Sequence, residues 1–194
     1  MDGYANTFRN RVILFCLIAG LGLGVDLLTK WLVFGSPRLF HGSEWWLIPN
    51  HVGIQKSLNE GALFGMGQGK VWVFAFLALA AAIAIPVWLF RFGAAEQLGL
   101  TLALGCIMGG VLGNLYDRIG LSGLTWDQFN PTRSGESVNA VRDWILFQVN
   151  ENWVWPNFNI ADSLLVVGAG ILILKSFVDK QPVESVVLET SNKK

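Results

Sequence analysis

Four long apolar segments dominate the sequence, and they limit the folds that the chain can adopt. They lie at about residues 12–34, 71–90, 98–115 and 161–177. A bilayer core of about 30 Å needs roughly 20 helical residues to cross it, so each segment can span a membrane. Only 14% of the residues are charged, whereas soluble domains carry about a quarter. The sequence therefore predicts an integral membrane protein whose core is all-α, with four transmembrane helices.

The first apolar segment also has one feature of a secretory signal peptide, because Arg9 and Arg11 precede it. However, the apolar run continues past Asp26 to Phe34, and no small-residue cleavage site precedes a soluble domain. We therefore interpret this segment as the first transmembrane helix.

The charge and the cysteines exclude several classes of function. The formal net charge is zero, so no basic surface favours nucleic acid as a partner. Cys16 and Cys106 both fall inside apolar stretches, without histidine or cysteine at metal-ligand spacing. We interpret them as small buried hydrophobes and predict neither a metal nor a cofactor.

Two segments between the helices are long, and we expect both on the outer side of the membrane. Lysine and arginine are denser in the shorter segments, which favours cytoplasmic termini. The first outer segment, residues 35–70, has β-branched residues bounded by Pro49 and Gly61, which predicts short strands. We expect the second, residues 116–160, to lie on the bilayer surface because of four tryptophans: Trp126, Trp144, Trp153 and Trp155.

The second outer segment contains a polar, turn-prone stretch that we call the insert, "LTWDQFNPTRSGES" at residues 124–137, with no obvious core. Together the outer segments predict a small β-containing extracytoplasmic cap over the helices. We expect one membrane domain at residues 1–178, followed by a polar, disordered cytoplasmic tail at 179–194.

Ionisable residues in the first helix have two interpretations. Asp26 and Lys30 are four residues apart and therefore lie on one helical face. The favoured interpretation is an ion pair that fixes this helix to its neighbours. Direct participation in chemistry is the alternative, since ionisable groups inside membranes commonly mark functional sites.

The third helix combines a smooth surface with a polar end. Gly105, Gly109 and Gly113 recur every four residues and let another helix approach closely. Asn114 and Arg118 follow, also four residues apart, with Asp117 beside them. The glycines need no explanation beyond packing, but the polar end indicates a site. There, a guanidinium could grip a peptide carbonyl or a carboxylate.

The start of the fourth helix carries an aspartate with two equally weighted interpretations. Asn159 is a good N-cap after Pro156, which places Asp162 at the third helical position, where it could serve only as a cap. Alternatively, Asp162 could pair with Asp143 of "AVRDWILF". Two carboxylates at a dry boundary cannot both ionise cheaply, which is the arrangement of aspartic proteases. The spacing alone does not show that the two aspartates meet.

Four sequence blocks resemble one family, the lipoprotein signal peptidases (signal peptidase II). They are "DLLTK" at 26–30, "NEGALF" at 59–64, "GGVLGNLYDR" at 109–118 and "FNIAD" at 158–162. The resemblance implies an aspartic endopeptidase of the bacterial inner membrane, with its active site near the outer face. Such an enzyme cleaves diacylglyceryl-modified prolipoproteins before the lipidated cysteine. The resemblance also implies no cofactor, and a single cleft needs only a monomer in the lipid bilayer.

The resemblance assigns roles to residues at matching positions. It implies catalysis by Asp143 and Asp162, substrate binding by Asn59, Asn114, Arg118 and Asn159, and support from Asp26, Lys30, Gly61, Asp117 and Ala161.

The sequence departs from the family pattern at three places. Arg142 precedes the proposed catalytic Asp143, where an apolar residue is common, and would favour ionisation of that aspartate if it pointed toward it. The stretch from Arg118 to Asp143 is longer than usual by about the length of the insert. Leu63 replaces a small residue.

Two other classes of function compete with the peptidase. A small membrane carrier or proton-conducting subunit would use intramembrane carboxylates as relays, and a scaffold bundle would need no paired carboxylates. A relay predicts polar groups distributed through the depth of the membrane. Here the second helix has no charge and the polar positions gather near the outer ends, which favours the peptidase.

Overall fold

The computed structural model of the protein describes residues 2–40, 42–61 and 66–178. Four long helices form its body: α1 at Asp2–Phe34, α2 at Val71–Pro86, α3 at Leu98–Arg118 and α4 at Ile160–Val178. All four, α2 together with the helical turn that continues it to Arg91, are long and apolar enough to cross a membrane. Leu63 and the predicted tail at 179–194 lie outside the described residues.

The helices differ from the predicted bounds mainly at their polar ends. α1 begins at Asp2 rather than near residue 12, and α3 continues through Asp117 to Arg118. The prediction followed the apolar run, but helical hydrogen bonding does not stop where the apolar residues stop. α2 ends at Pro86, and the next turn, Val87–Arg91, is π-helical. Proline lacks the N–H that an α-helical ladder requires, which accounts for a change in the helix near this residue.

Helix α3 lies between α1 and α4 because its glycines allow close contact on two sides. A Cβ added at Gly109 would lie 3.1 Å from the Ala19 carbonyl of α1. One added at Gly110 would lie 2.5 Å from the Ala161 carbonyl of α4. The predicted glycine surface is therefore confirmed at Gly109. It also extends to Gly110, because α3 packs against two helices rather than one.

The two outer segments join in one antiparallel sheet. Its strands are β1 at Glu44–Ile48, β2 at Val52–Asn59, β3 at Val141–Asn150 and β4 at Trp153–Phe158, in the order β1-β2-β3-β4. The predicted β-containing cap is confirmed, and the second segment supplies half of its strands. The central pairing sets Ser57 of β2 opposite Asp143 of β3.

The insert has a small core, which the sequence analysis did not predict. Trp126 is only 7% exposed and packs with the fully buried Val138 and Ala140. Leu58 of β2 and Phe129 pack against the same cluster. The core escaped prediction because half of it comes from outside the insert. The burial of Trp126 inside the protein means that this tryptophan does not itself face the bilayer surface.

Candidate active site

Asp162 does cap its helix, but the cap uses only one of its oxygens. The Asn159 side chain accepts a hydrogen bond from the Asp162 backbone N–H at 2.9 Å. Asp162 Oδ2 in turn accepts from the Asn159 backbone N–H at 3.3 Å. This reciprocal pair is a capping box. The second oxygen, Oδ1, accepts from the Asn114 amide at 2.8 Å and so faces a different neighbour.

Asp143 lies on β3 with 2% of its surface exposed. Its Oδ2 accepts from the Asn59 amide at 3.1 Å, and its Oδ1 accepts from the Asn159 amide at 2.6 Å. Burial, followed by the charge of Asp162, raises the pKa of Asp143 to about 8, while the two amide hydrogen bonds lower it. Near neutral pH, Asp143 therefore holds a proton most of the time.

A chain of side-chain amides connects the two aspartates. The Asn159 amide that contacts Asp143 also lies 3.1 Å from Asn114 Oδ1. Asn114 then donates to Asp162 through its own amide nitrogen. Asp143 and Asp162, which the sequence could not bring together, thus belong to one hydrogen-bond network built from β3, α3 and α4.

A buried layer of charges lies beneath these asparagines. Lys30 Nζ, which is fully buried, lies 2.7 Å from Asp26 and 3.0 Å from Asp117, and it donates to Asn114 Oδ1 at 3.2 Å. Asp26 also accepts from the Ala161 backbone N–H at 2.9 Å, at the start of α4. The layer joins α1, α3 and α4 below the site, which supports the interpretation of Asp26 and Lys30 as a pair that fixes α1.

Arg142 belongs to the charged layer and does not point toward Asp143. Its Nε donates to Asp117 Oδ1 at 2.7 Å, and its backbone N–H donates to Asp117 Oδ2 at 3.1 Å. Neighbouring residues in a strand point to opposite faces, so Arg142 and Asp143 diverge. Arg142 therefore does not favour ionisation of Asp143, as it would have done if it had faced that aspartate. The sequence analysis missed this divergence, although strand alternation in "VRDWI" was a readable signal.

Arg118 fixes the turn that follows β2. Its guanidinium donates to the Gly61 carbonyl at 2.9 Å, and the Gly61 N–H donates to Asn59 Oδ1 at 2.9 Å. Arg118 also lies over the Phe74 ring of α2, 5.4 Å from its centroid. Its Nε is buried and has no hydrogen-bond partner among the described residues.

All of the residues that the sequence analysis selected lie in this one network, in two layers. The upper layer contains Asn59, Gly61, Asn114, Arg118, Asp143, Asn159 and Asp162, and the lower layer contains Asp26, Lys30, Asp117 and Ala161. The arrangement offers one protonated carboxyl, a second carboxyl at a helix N-terminus, and amide and guanidinium donors. This set can activate water and hold a carbonyl group.

Comparisons with known proteins point in one direction. Residues 18–178 match the signal peptidase (SPase) II family. A lipoprotein signal peptidase of Rhodopirellula baltica is 46% identical over 170 residues, covering 87% of this chain and 73% of that protein. One from Rhodococcus jostii is 31% identical over 177 residues, covering 91% of this chain and 78% of that protein. A bacterial membrane enzyme solved by the in meso method at 2.3 Å is also similar, with a TM-score of 0.66 and 28% identity. The match covers 93% of this chain and 91% of the chain of that enzyme.

Proposed function

The chain belongs to the signal peptidase II family, and on that premise we propose that it is an aspartic endopeptidase acting on diacylglyceryl-modified prolipoproteins. Family membership makes it a peptidase, and its four apolar helices make it a multi-pass membrane protein. The observation that carries the proposal is the network that joins Asp143 and Asp162. It places two carboxyl groups in different environments at one end of the helices.

The environments of the two aspartates suggest their roles. Asp143 is buried and protonated near neutral pH, so it can donate to the oxygen of the scissile carbonyl. Asp162 lies in the first turn of α4, where the helix dipole stabilises negative charge, and it accepts a proton from water. The water oxygen then bonds to the carbonyl carbon to give a tetrahedral intermediate. The C–N bond breaks as the leaving nitrogen takes the proton now on Asp162, and the former carbonyl oxygen returns its proton to Asp143 as the C=O bond re-forms. Both aspartates regain their starting states, and no covalent enzyme intermediate is needed.

The hydrogen bonds of Asp143 limit the positions that its proton can occupy. Each carboxyl oxygen has two lone pairs, and one on each oxygen faces an asparagine amide. The amides cannot turn round freely, because the Asn59 and Asn159 oxygens each accept a backbone N–H. The proton therefore occupies one of the remaining lone-pair positions, away from both asparagines.

Substrate binding needs a polar grip and an apolar surface. The guanidinium of Arg118, next to the aspartates, can donate to a backbone carbonyl of the substrate. An apolar groove of about 320 Å³ lies between α2 and α3, starting at Ile119 directly after Arg118. It is lined by Trp72, Ala75, Phe76, Leu79, Leu115 and Ile119. An acyl chain of the lipidated cysteine, entering sideways from the bilayer, fits these surroundings.

The competing function, a proton-conducting subunit, needs ionisable groups along the membrane depth. Residues 71–90, which comprise α2 and most of the π-helical turn after it, contain no charged residue. The polar network gathers instead where α1, α3 and α4 meet the sheet. This distribution suits a reaction at one rim better than a path across the membrane.

The test is cleavage of a purified diacylglyceryl-modified prolipoprotein, beside the same substrate without its lipid. We expect lipid-dependent release of the signal peptide. Asp143→Asn and Asp162→Asn should each lower the rate at least a thousandfold while the protein stays folded. Glu151→Gln is the matched control, because Glu151 is an exposed carboxylate in the β3–β4 turn. Retained cleavage in either aspartate variant would remove that residue from catalysis, and no cleavage by folded wild-type protein would overturn the proposal.

A further inference from the structure

The insert forms an ordered unit beside the site rather than a loose loop. Thr125 and Ser137 at its two ends pair as an antiparallel bridge, and the Trp126 N–H donates to the Glu136 carbonyl at 3.0 Å. The Asp127 carboxylate accepts from the Ser134 hydroxyl and from the Gly135 N–H. These bonds close the segment on itself around the buried Trp126.

Arg133 lies at the point where this unit meets the turn after β2. Its Nη1 donates to Glu60 Oε1 at 2.8 Å, and its Nε donates to Glu136 Oε2 at 2.8 Å. The guanidinium also stacks on the Trp126 ring, 4.1 Å from the centroid. Three contacts from separate directions hold one planar group, so Arg133 is more constrained than a surface arginine with a single partner.

The insert therefore contacts both neighbours of Asn59 in the chain. Leu58 packs against the Trp126 cluster, and Glu60 is bonded to Arg133. Asn59 lies between them and donates to Asp143. Adjacent side chains of an extended segment point to opposite faces. The insert therefore contacts the face of β2 that is opposite to the face carrying Asn59.

We propose that Arg133 is a positioning residue, which acts through Glu60 to hold Asn59 against Asp143. This inference rests on the proposed function, and it gives the insert a role in catalysis. Loss of the Arg133–Glu60 contact loosens the Asn59 amide and leaves Asp143 less well oriented. The effect is on the chemical step, because neither Arg133 nor Glu60 belongs to the groups that would hold the substrate.

The experiment compares Arg133→Gln, Glu60→Gln and the double variant of the full chain, using the lipidated prolipoprotein as probe. We expect each single variant to lower kcat three- to tenfold with KM within twofold, and the double variant to lose no more than either single one. Arg133→Lys should recover part of the rate. The matched control is Arg38→Gln, which removes an exposed cation of the first outer segment that forms no ion pair with the described residues.

A pH profile separates positioning from general loss of structure. The Asn59 hydrogen bond lowers the pKa of Asp143. Weakening that bond should move the upper pH limit of kcat, and the Asp143-dependent part of thermal stability, to higher pH. Three results would each overturn the proposal. The first is a wild-type rate and pH profile in both single variants, and the second is a double variant in which the losses of the single variants multiply. The third is a lower melting temperature with an unchanged pH profile.

The failure of this inference is distinguishable from failure of the proposed function. If the wild type cleaves and the variants behave as wild type, only the role of Arg133 is wrong. If the wild type does not cleave, the proposed function is wrong. The pH dependence of melting still tests the role of Arg133, because it needs no substrate.

Discussion

At the scale of single residues, the main feature is that two asparagines are held by backbone groups and can therefore hold an aspartate. The Gly61 N–H orients Asn59, and the Asp162 N–H orients Asn159. Both amides then point their donors at Asp143. An asparagine free to rotate could offer its oxygen in place of its amide nitrogen, so the two backbone bonds preserve the electrostatic surroundings of the aspartate.

The first prediction concerns pH and stability at Asp143. Its pKa is about 8 in the folded protein and near 3.8 in the unfolded chain. The folded state therefore keeps a proton that the unfolded state releases, and stability falls as pH rises from about 4 to 8. We expect the melting temperature of the wild type in detergent to fall by a few degrees, relative to Asp143→Asn, between pH 5 and pH 8.

Asp127→Asn is the control for this measurement. Hydrogen bonds from Ser134 first, and also from Thr125 and Gly135, lower the pKa of Asp127 to about 2. Its stabilising effect is complete above pH 4 and is lost only as pH falls toward 2, which is the opposite sign. Between pH 5 and 8 this variant should follow the wild type. A constant difference between wild type and Asp143→Asn would show that Asp143 is ionised throughout.

The outcome for Arg142 shows what a sequence can reveal about one residue. Its position beside Asp143 raised the question of direct contact, and the alternation of β3 settles the direction of both side chains. The partner of Arg142, Asp117, was not predictable, because it comes from a distant helix. Chain neighbours are readable from sequence, whereas contacts between elements depend on their packing.

At the scale of elements, α3 is the helix through which the site is assembled. Its glycines admit α1 and α4, and its last turns carry Asn114, Asp117 and Arg118. The starts of α2, α3 and α4 all lie within one residue of the predicted ones, because apolar composition marks the first two and the Asn159 cap marks the third. The core of the insert was not predictable, since Trp126 packs on residues that the chain brings from elsewhere.

The second prediction tests the close approach at Gly113. A Cβ there would lie 2.5 Å from Asp26 Oδ2 and 3.1 Å from the Ala161 Cβ. Gly113→Ala should therefore displace Asp26 and the start of α4, costing about 1–3 kcal/mol of stability and most of the activity. Thermal melting and cleavage rates measure the two effects.

Gly20→Ala is the matched control in a neighbouring helix. Nothing lies within 4 Å of a Cβ at Gly20, which is also helical. Its stability should stay equal to that of the wild type or rise slightly, since alanine favours helices. If Gly113→Ala were as stable and as active as Gly20→Ala, the packing at α3 would be looser than described.

At the scale of the whole molecule, the polar groups gather at one end of an apolar bundle and the sheet lies there. The sequence predicted the four helices, the β-containing cap and the members of the site. It did not predict the pairing of β2 with β3, because α2 and α3 separate these strands in the chain. The two aspartates become neighbours through that pairing, together with the packing of α3 against α4.

The third prediction concerns the orientation of the protein in its membrane. Lysine and arginine density favours cytoplasmic termini, so the turn between α2 and α3 should be inside and the β3–β4 turn outside. In a parent protein with Cys16 and Cys106 replaced by alanine, we expect Glu151→Cys to react with a membrane-impermeant maleimide in intact cells. Glu96→Cys should react only after the cells are opened. The reverse pattern would show that the protein has the opposite orientation, with the site on the cytoplasmic side.

The distribution of the site over the chain has a consequence for biosynthesis. Lys30, Asn59, Asn114, Asp143 and Asp162 come from α1, β2, α3, β3 and α4 in turn. A ribosome that has not yet released α4 has therefore made a protein without Asp162 in place. Since no earlier intermediate contains both aspartates, we expect the nascent chain to remain inactive until α4 enters the bilayer. The order of the elements in the chain thus delays activity until α4 is in place.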